Sequence, residues 1–418
     1  MTQNPARPEE SPELAQKPAP KADEKFYGKK LFWAVFALAM GGFGIGATEF
    51  TIMGLVQEGS KDLGVSLPAM GVLISAYALG VVIGAPVLTA MLAKAPRKKA
   101  VIVLVVAFTV FNLFSFFAPT YELVIASRFL SGLPHGAYFG LAALLAASFV
   151  APTKRGSAIA WVMMGLSVAN VIGVPVITWL GQTFGWRWMF ASVAIVGALT
   201  VVLITFLVPA REAPKDASIR TELSALKNGQ VWMAILTGVV GFGGFFAMYS
   251  YISPIATEVA GISISTVPVI LALYGVGMVI GNGVGGKLSD VSVIRTIVWC
   301  CIVMIFLQLA FGFTAHIPWL VFVWVPLLGI AGSALVPSLQ ALLMDSAPKA
   351  QALAASLNHS SLNTANALGA LLGAAVLDAG FGLRAPMFLG AVLAFLGLIL
   401  ALITGARQRK IDAAAGTQ

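Results

Sequence analysis

Charge is what this chain has least of. Only 10% of its 418 residues are Asp, Glu, Lys or Arg, against 59% hydrophobic, and mean hydropathy is +0.91. So few charges could not cover the surface of a soluble fold of this length, which excludes a water-soluble globular domain. Cysteine is scarcer still. Cys300 and Cys301 are adjacent in an apolar stretch, which excludes a disulfide framework and any metal-ligand spacing. No HExxH motif and no paired intramembrane aspartates are present, so an intramembrane enzyme lacks its chemistry. No GxxxxGK[ST] loop is present either, which argues against ATP drive within this chain. The net charge of +9 comes from short clusters between apolar runs rather than from one basic face, which sets nucleic acid aside. No cofactor and no metal are expected.

What is abundant is apolar sequence in lengths that match a bilayer. Twelve runs of about 20 residues begin near residues 31, 68, 100, 121, 157, 188, 231, 264, 295, 317, 351 and 385. Residues 1–30 are charged and Pro-rich, read as a disordered tail, and leave no room for a cleavable signal before the first span. Most breaks between runs are short, but residues 210–230 form a polar link that divides the chain almost evenly. The expected organisation is a tail (1–30), a six-helix half (31–209), a link (210–230), a second half (231–405) and a second tail (406–418). With the amino terminus inside, 22 basic residues fall on the inner segments and only Lys61, Arg187 and Arg384 on the outer ones. That bias predicts both termini in the cytoplasm.

The halves repeat one another. "YALGVVIG" from Tyr77 returns as "YGVGMVIG" from Tyr274; "ANVIG" from Ala169 returns as "ANALG" from Ala365; "FGWR" ending at Arg187 returns as "FGLR" ending at Arg384. Three matches in order at offsets of 196 or 197 indicate a duplicated six-span unit. Parallel halves of this kind place a solute site at their interface near the midplane, and rocking of the halves gives alternating access.

Against that background two buried charges stand out. Glu49 and Arg128 each lie about seven residues, roughly 10 Å, from the outer end of their spans. They therefore share a depth, and the expectation is that they pair. Neither recurs in the second half, where the corresponding positions are Phe246 and Val325. A charge needed to build the unit would appear in both copies, so these read as additions for function; a static ion pair is the alternative. His135 follows Arg128 by two turns and suits a proton relay or a solute hydrogen bond; a neutral histidine bonded to a neighbouring helix is the alternative. His359 sits in a polar cluster with Asn358 and Asn363 that lines a cavity or holds helices together. Phe246 and Tyr249, in the aromatic run Phe242 to Tyr251, are candidates to face an apolar solute. Gly132, Gly136 and Gly140 form a small-residue row for close helix packing.

Four segments carry a family likeness. "GATEFTIMGL" (Gly46 to Leu55), "RFLSGLPHGAYFG" (Arg128 to Gly140), "GLSVANVIGVPVITWLG" (Gly165 to Gly181) and "GGKLSD" with Arg295 resemble motifs of the major facilitator superfamily, in its twelve-span drug:proton antiporter group. The resemblance covers about residues 31–405. It implies an all-α membrane fold of two pseudo-symmetric six-helix halves. It implies proton coupling at Glu49 and Arg128, to which His135 is added from its place on the Arg128 face, a cytoplasmic gate at Asp290 and Arg295, and an antiporter-motif helix with Gly165, Asn170, Gly173 and Pro175. The first half departs from the gate pattern, with Ala93 where the acidic residue should stand. The reading is a monomeric secondary transporter of the cytoplasmic membrane, exporting a small sugar-, nucleoside- or drug-like solute in exchange for protons. An uncoupled facilitator or importer of the same fold is the alternative.

Overall fold

Polar residues set where the helices begin. Ser66 Oγ accepts from Ala69 N at 3.3 Å, Thr120 Oγ1 from Leu123 N at 3.4 Å and Asn228 Oδ1 from Gln230 N at 2.9 Å. Each satisfies a backbone donor that the first turn leaves free. The computed structural model describes residues 28–151, 155–212, 224–347 and 350–415. The leader through residue 27, Lys154, Lys349, the middle of the central link (213–223) and the last three residues lie outside the described residues.

Among the described residues, twelve helices are long and apolar enough to span a membrane. In chain order they are Lys29–Gly54, Leu67–Met91, Arg97–Phe117, Tyr121–Ala147, Ala158–Phe184, Trp188–Leu207, Gly229–Tyr249, Ile264–Ser289, Val293–Thr314, Pro318–Ser346, Leu353–Asp378 and Ala385–Arg409. They are called the first to twelfth spans. Large apolar side chains such as Trp33, Phe114, Trp299 and Phe306 face outward, where lipid covers them, while Glu49, Arg128, His135, Asn170 and Asn366 are buried. An even number of spans puts both chain ends on one face, called here the terminal face; the other is the distal face.

The duplication is physical as well as textual. In the first half Gly80 and Gly84 of the second span press against the carbonyls of Phe129 and Leu133 on the fourth, and Gly132 presses back on Tyr77. In the second half Gly277, Gly281 and Gly285 of the eighth span press against the carbonyls of Pro326, Ile330 and Ala334 on the tenth. Small residues let backbones approach where lipid offers no hydrophobic drive for association. The repeated arginines also do one job twice. Arg187 donates to the Ala118 carbonyl just past the third span (3.3 Å), and Arg384 donates to those of Gly312 and Phe313 at the end of the ninth (2.8 and 3.0 Å). A cation there answers the orphan carbonyls of a helix terminus. In the first half the clamp is extended by Asp62, which pairs with Arg187 and accepts from Trp186 Nε1 at 2.9 Å.

Helix ends depart from the sequence reading in three places. The first α-helix stops at Thr51 and passes through a tight turn, Ile52–Gly54, into a short helix, Val56–Leu63, on the distal face. The fifth span carries a π-helical turn at Ala169–Gly173, ending two residues before Pro175, whose missing N–H cannot continue a regular ladder. The last helix runs on to Ala415, through residues expected to be tail.

Candidate functional site

The first span carries Thr48, Glu49 and Phe50 into the contact between the halves, all three buried. Consecutive helical residues diverge by about 100°, so the three side chains address different neighbours. Phe50 meets a ring cluster from the second half: Phe246 at 6.5 Å, Tyr249 at 6.1 Å and Tyr274 at 6.2 Å between centroids. Tyr249 and Tyr274 lie 4.2 Å apart, and the Tyr249 hydroxyl has no hydrogen-bond partner. Phe246 and Tyr249 therefore stand where the two halves meet.

Thr48, not Glu49, engages the arginine. Arg128 Nη1 donates to Thr48 Oγ1 at 3.1 Å and to the Thr48 carbonyl at 3.3 Å. Thr48 Oγ1 in turn donates to Asn112 Oδ1 at 2.8 Å. The guanidinium carbon lies 4.3 Å above the centre of the Tyr77 ring, a cation–π contact. Its Nε is buried without a partner. Glu49 and Arg128 are close enough to feel one another's charge but form no ion pair within 4 Å; the ion pair between described side chains is Arg187–Asp62. The expected depth match holds, while the expected direct pairing is absent here because Thr48 occupies the guanidinium and Glu49 turns towards the second half.

From Tyr77 the polar thread continues. Its hydroxyl lies 3.1 Å from His135 Nδ1, and His135 Nε2 has no partner. The His135 ring is 5.6 Å from His359 of the eleventh span, which stacks on Phe139 at 4.7 Å with the planes 3° apart. His135 and His359 thus meet across the halves. Asn358 and Asn363 do not join them. Asn358 Nδ2 donates to Gln340 Oε1 (3.2 Å) and Asn363 Nδ2 to the His359 carbonyl (3.1 Å), both within the second half. On the fifth span, Gly165 abuts the Ala39 carbonyl, a Cβ on Gly173 would meet the Phe43 ring at 2.6 Å, and Asn170 Nδ2 donates to the Leu166 carbonyl at 3.0 Å. Asp290 lies in the last turn of the eighth-span helix, with its side chain outside the described set. Arg295 is exposed in the first turn of the next helix, its backbone N–H 3.5 Å from the Ser292 hydroxyl that caps it.

The halves touch at both ends. On the distal face Gln57 accepts from Ser253 Oγ (3.0 Å) and donates to Thr257 Oγ1 (3.1 Å) and Glu258 Oε1 (2.9 Å), while Gln182 donates to the Ile264 carbonyl (3.2 Å). Towards the terminal face Thr89 and Ser356 meet at 3.5 Å, and Asn282 Nδ2 lies 3.4 Å from Ser167 Oγ. Glu49, at 5% exposure, is enclosed between these closures.

Sequence reasoning missed Tyr77 and Tyr274, read only as repeat markers, and Thr48, Asn112 and Gln57. Thr48 adjoined the singled-out carboxylate, which was its one available signal.

Comparison with known proteins agrees with this architecture. The family model described as Major Facilitator Superfamily matches residues 31–325 and 252–417. The inner membrane transport protein YdhP of Escherichia coli (strain K12) is 41% identical over 379 residues, 91% of this chain and 97% of that protein. A chloramphenicol resistance protein of Streptomyces lividans is 29% identical over 371 residues, 88% of this chain and 95% of that protein. Among solved structures, a D-xylose–proton symporter superposes with a TM-score of 0.71 at 17% identity, covering 90% of this chain and 97% of the other. With twelve spans in two repeated halves and a family match along nearly its whole length, the chain belongs to the major facilitator superfamily, a multi-pass membrane transporter rather than an enzyme.

Proposed function

We propose that this transporter exports a small organic solute from the cytoplasm in exchange for protons, with Glu49 as the proton carrier. The observation that carries the reading is the placement of Glu49: a carboxylate buried between the halves, without an ion-pair partner, in one copy of the repeat only. Intramembrane ionisable groups are costly and are kept for function. The neighbouring rings Phe50, Phe246, Tyr249 and Tyr274 offer an apolar, aromatic wall for the solute, and the free Tyr249 hydroxyl offers it a hydrogen bond. Arg128 tunes the electrostatics of the site from its anchorage on Thr48, and Tyr77, His135 and His359 extend the polar path towards the terminal face. Efflux is favoured by the name of the chloramphenicol resistance relative, and the chain acts as a monomer. The rival is an uncoupled facilitator, which draws support from Arg128 meeting Thr48 rather than Glu49.

The test is accumulation in everted vesicles against a panel of sugars, nucleosides and drug-like compounds. An imposed pH difference, inside acid, should drive at least one solute inward, and a protonophore should abolish it. Uptake unaffected by the protonophore would favour the facilitator.

Orientation and gating have their own checks. Reporter fusions after residues 62 and 260 should report outside and those after 97, 220 and 412 inside, because 22 basic residues lie on one set of loops against 3 on the other. An outside signal at residue 220 would overturn the topology. Asp290→Asn should slow transport severalfold while leaving solute affinity within a few-fold, as expected of a group that biases conformations rather than touching solute. Loss of binding with an unchanged conformational balance would remove Asp290 from the gate.

A further inference from the structure

Asn170 and Asn366 occupy the same place in the two copies of the repeat, 196 residues apart, yet they behave differently. Asn170 turns its amide back on its own helix, donating to the Leu166 carbonyl at 3.0 Å. Asn366 is fully buried, and neither its Nδ2 nor its Oδ1 has an aligned hydrogen-bond partner. It therefore forgoes the bond to Leu362 that its twin makes to Leu166. A buried amide with both atoms unpaired carries a desolvation cost, which a charged partner within reach removes.

The two copies also differ at the position of the carboxylate. Glu49 maps onto Phe245 or Phe246 in the second copy. In the repeat, therefore, the counterpart of the Glu49 carboxylate is a phenylalanine. The packing around Asn366 agrees. Its neighbour Ala367 accepts from Ser75 Oγ of the second span at 3.2 Å. Gly369, one turn on, leaves no room for a Cβ beside Phe246, the ring that meets Phe50 next to Glu49. The Asn366 side chain lies within interaction reach of the Glu49 carboxylate.

We propose that Asn366 is the residue through which the second half senses the charge of Glu49. This rests on the proton-carrier reading of Glu49. When Glu49 is ionised, Asn366 Nδ2 donates to the carboxylate, a charge-assisted bond that ties the halves together in the closed form. When Glu49 takes a proton from water, its hydroxyl has only the neutral Oδ1 to donate to, and the tie weakens. The other groups facing Glu49 are Arg128 from the fourth span, Tyr77 from the second and Tyr274 from the eighth. Of these only Tyr274 belongs to the second half, and as a neutral phenol it cannot substitute for an amide that both donates and accepts. Asn366 is a positioning residue, acting through Glu49.

The experiment reads distance rather than transport. Spin labels at the exposed positions Lys61 and Ser265 report the distal face, and labels at the exposed positions Lys94 and Lys227 the terminal face, by double electron–electron resonance in nanodiscs between pH 5 and 9. In the otherwise unaltered protein the ratio of open to closed distances should change with pH by about tenfold, the difference between a charged and a neutral hydrogen bond. Glu49→Gln should abolish the change. Asn366→Leu should abolish it too, whereas Asn366→Gln, which keeps the amide, should retain it. If Asn366→Leu keeps the full response while Glu49→Gln loses it, Glu49 switches without Asn366 and the inference fails while the proton-carrier reading stands. If Glu49→Gln keeps the response, both fall. If monodisperse Asn366→Gln and Asn366→Leu lose it alike, Asn366 serves packing and the inference is overturned.

Discussion

Vesicles carrying Glu49→Gln are expected to bind solute and to exchange it, yet to fail to accumulate it when a pH difference is imposed. The substitution preserves side-chain length and hydrogen bonding but removes the titratable proton. For one proton exchanged per solute, each pH unit of gradient supports about tenfold accumulation, since 1.4 kcal/mol is a factor of ten. That ratio should collapse to unity. The structure makes the experiment clean. Arg128 is held by Thr48 and by the Tyr77 ring, so removing the Glu49 charge does not strip the guanidinium of its bonds. Folded, binding-competent protein should therefore be recovered. Glu49→Asp should keep partial coupling with a shifted pH optimum. Undiminished proton-driven accumulation by Glu49→Gln would leave Glu49 a packing residue and favour the facilitator.

A second large effect concerns stability. Gly84→Val should yield little or no monodisperse protein, because its Cβ would fall onto the backbone of Leu133 in the fourth span, which cannot rotate away. Overpacking costs about 1–3 kcal/mol where side chains can shift, and more where only backbone can move. Gly286→Ala, also within a spanning helix, is the matched control. A Cβ there meets nothing within 4 Å, and alanine favours helix. Fluorescence-detected gel filtration after a heating series compares the two. Equal recovery of Gly84→Val and Gly286→Ala would refute the close approach of the second and fourth spans.

Much of the fold is legible in the sequence because a bilayer imposes few solutions. Each expected span begins within three residues of an observed one, since apolar length and polar caps are local properties. The repeat was legible for the same reason. "FGWR" and "FGLR" reappear in space as two arginines on the carbonyls at the ends of equivalent helices. The candidate site was only partly legible. Glu49 and Arg128 announced themselves as charges in apolar runs, and their depths could be counted along helices that rise by a fixed step.

What sequence could not supply is which side chain faces which helix. Glu49 and Thr48 differ by one residue, and that step of rotation decides that threonine takes the arginine. Asn358 and Asn363 flank His359 on the same helix, yet only the histidine reaches the other half. Tyr77 and Tyr274 looked alike as repeat markers, but one sits under a guanidinium and the other in a cluster of rings. The sequence by itself determined a duplicated twelve-span membrane protein with a lone carboxylate and a lone guanidinium at one depth, because hydrophobic length and charge are summed along the chain. The tertiary structure alone decided the partners of those charges, because contact between helices depends on rotation and on close approach at glycine, and neither is encoded at any single position.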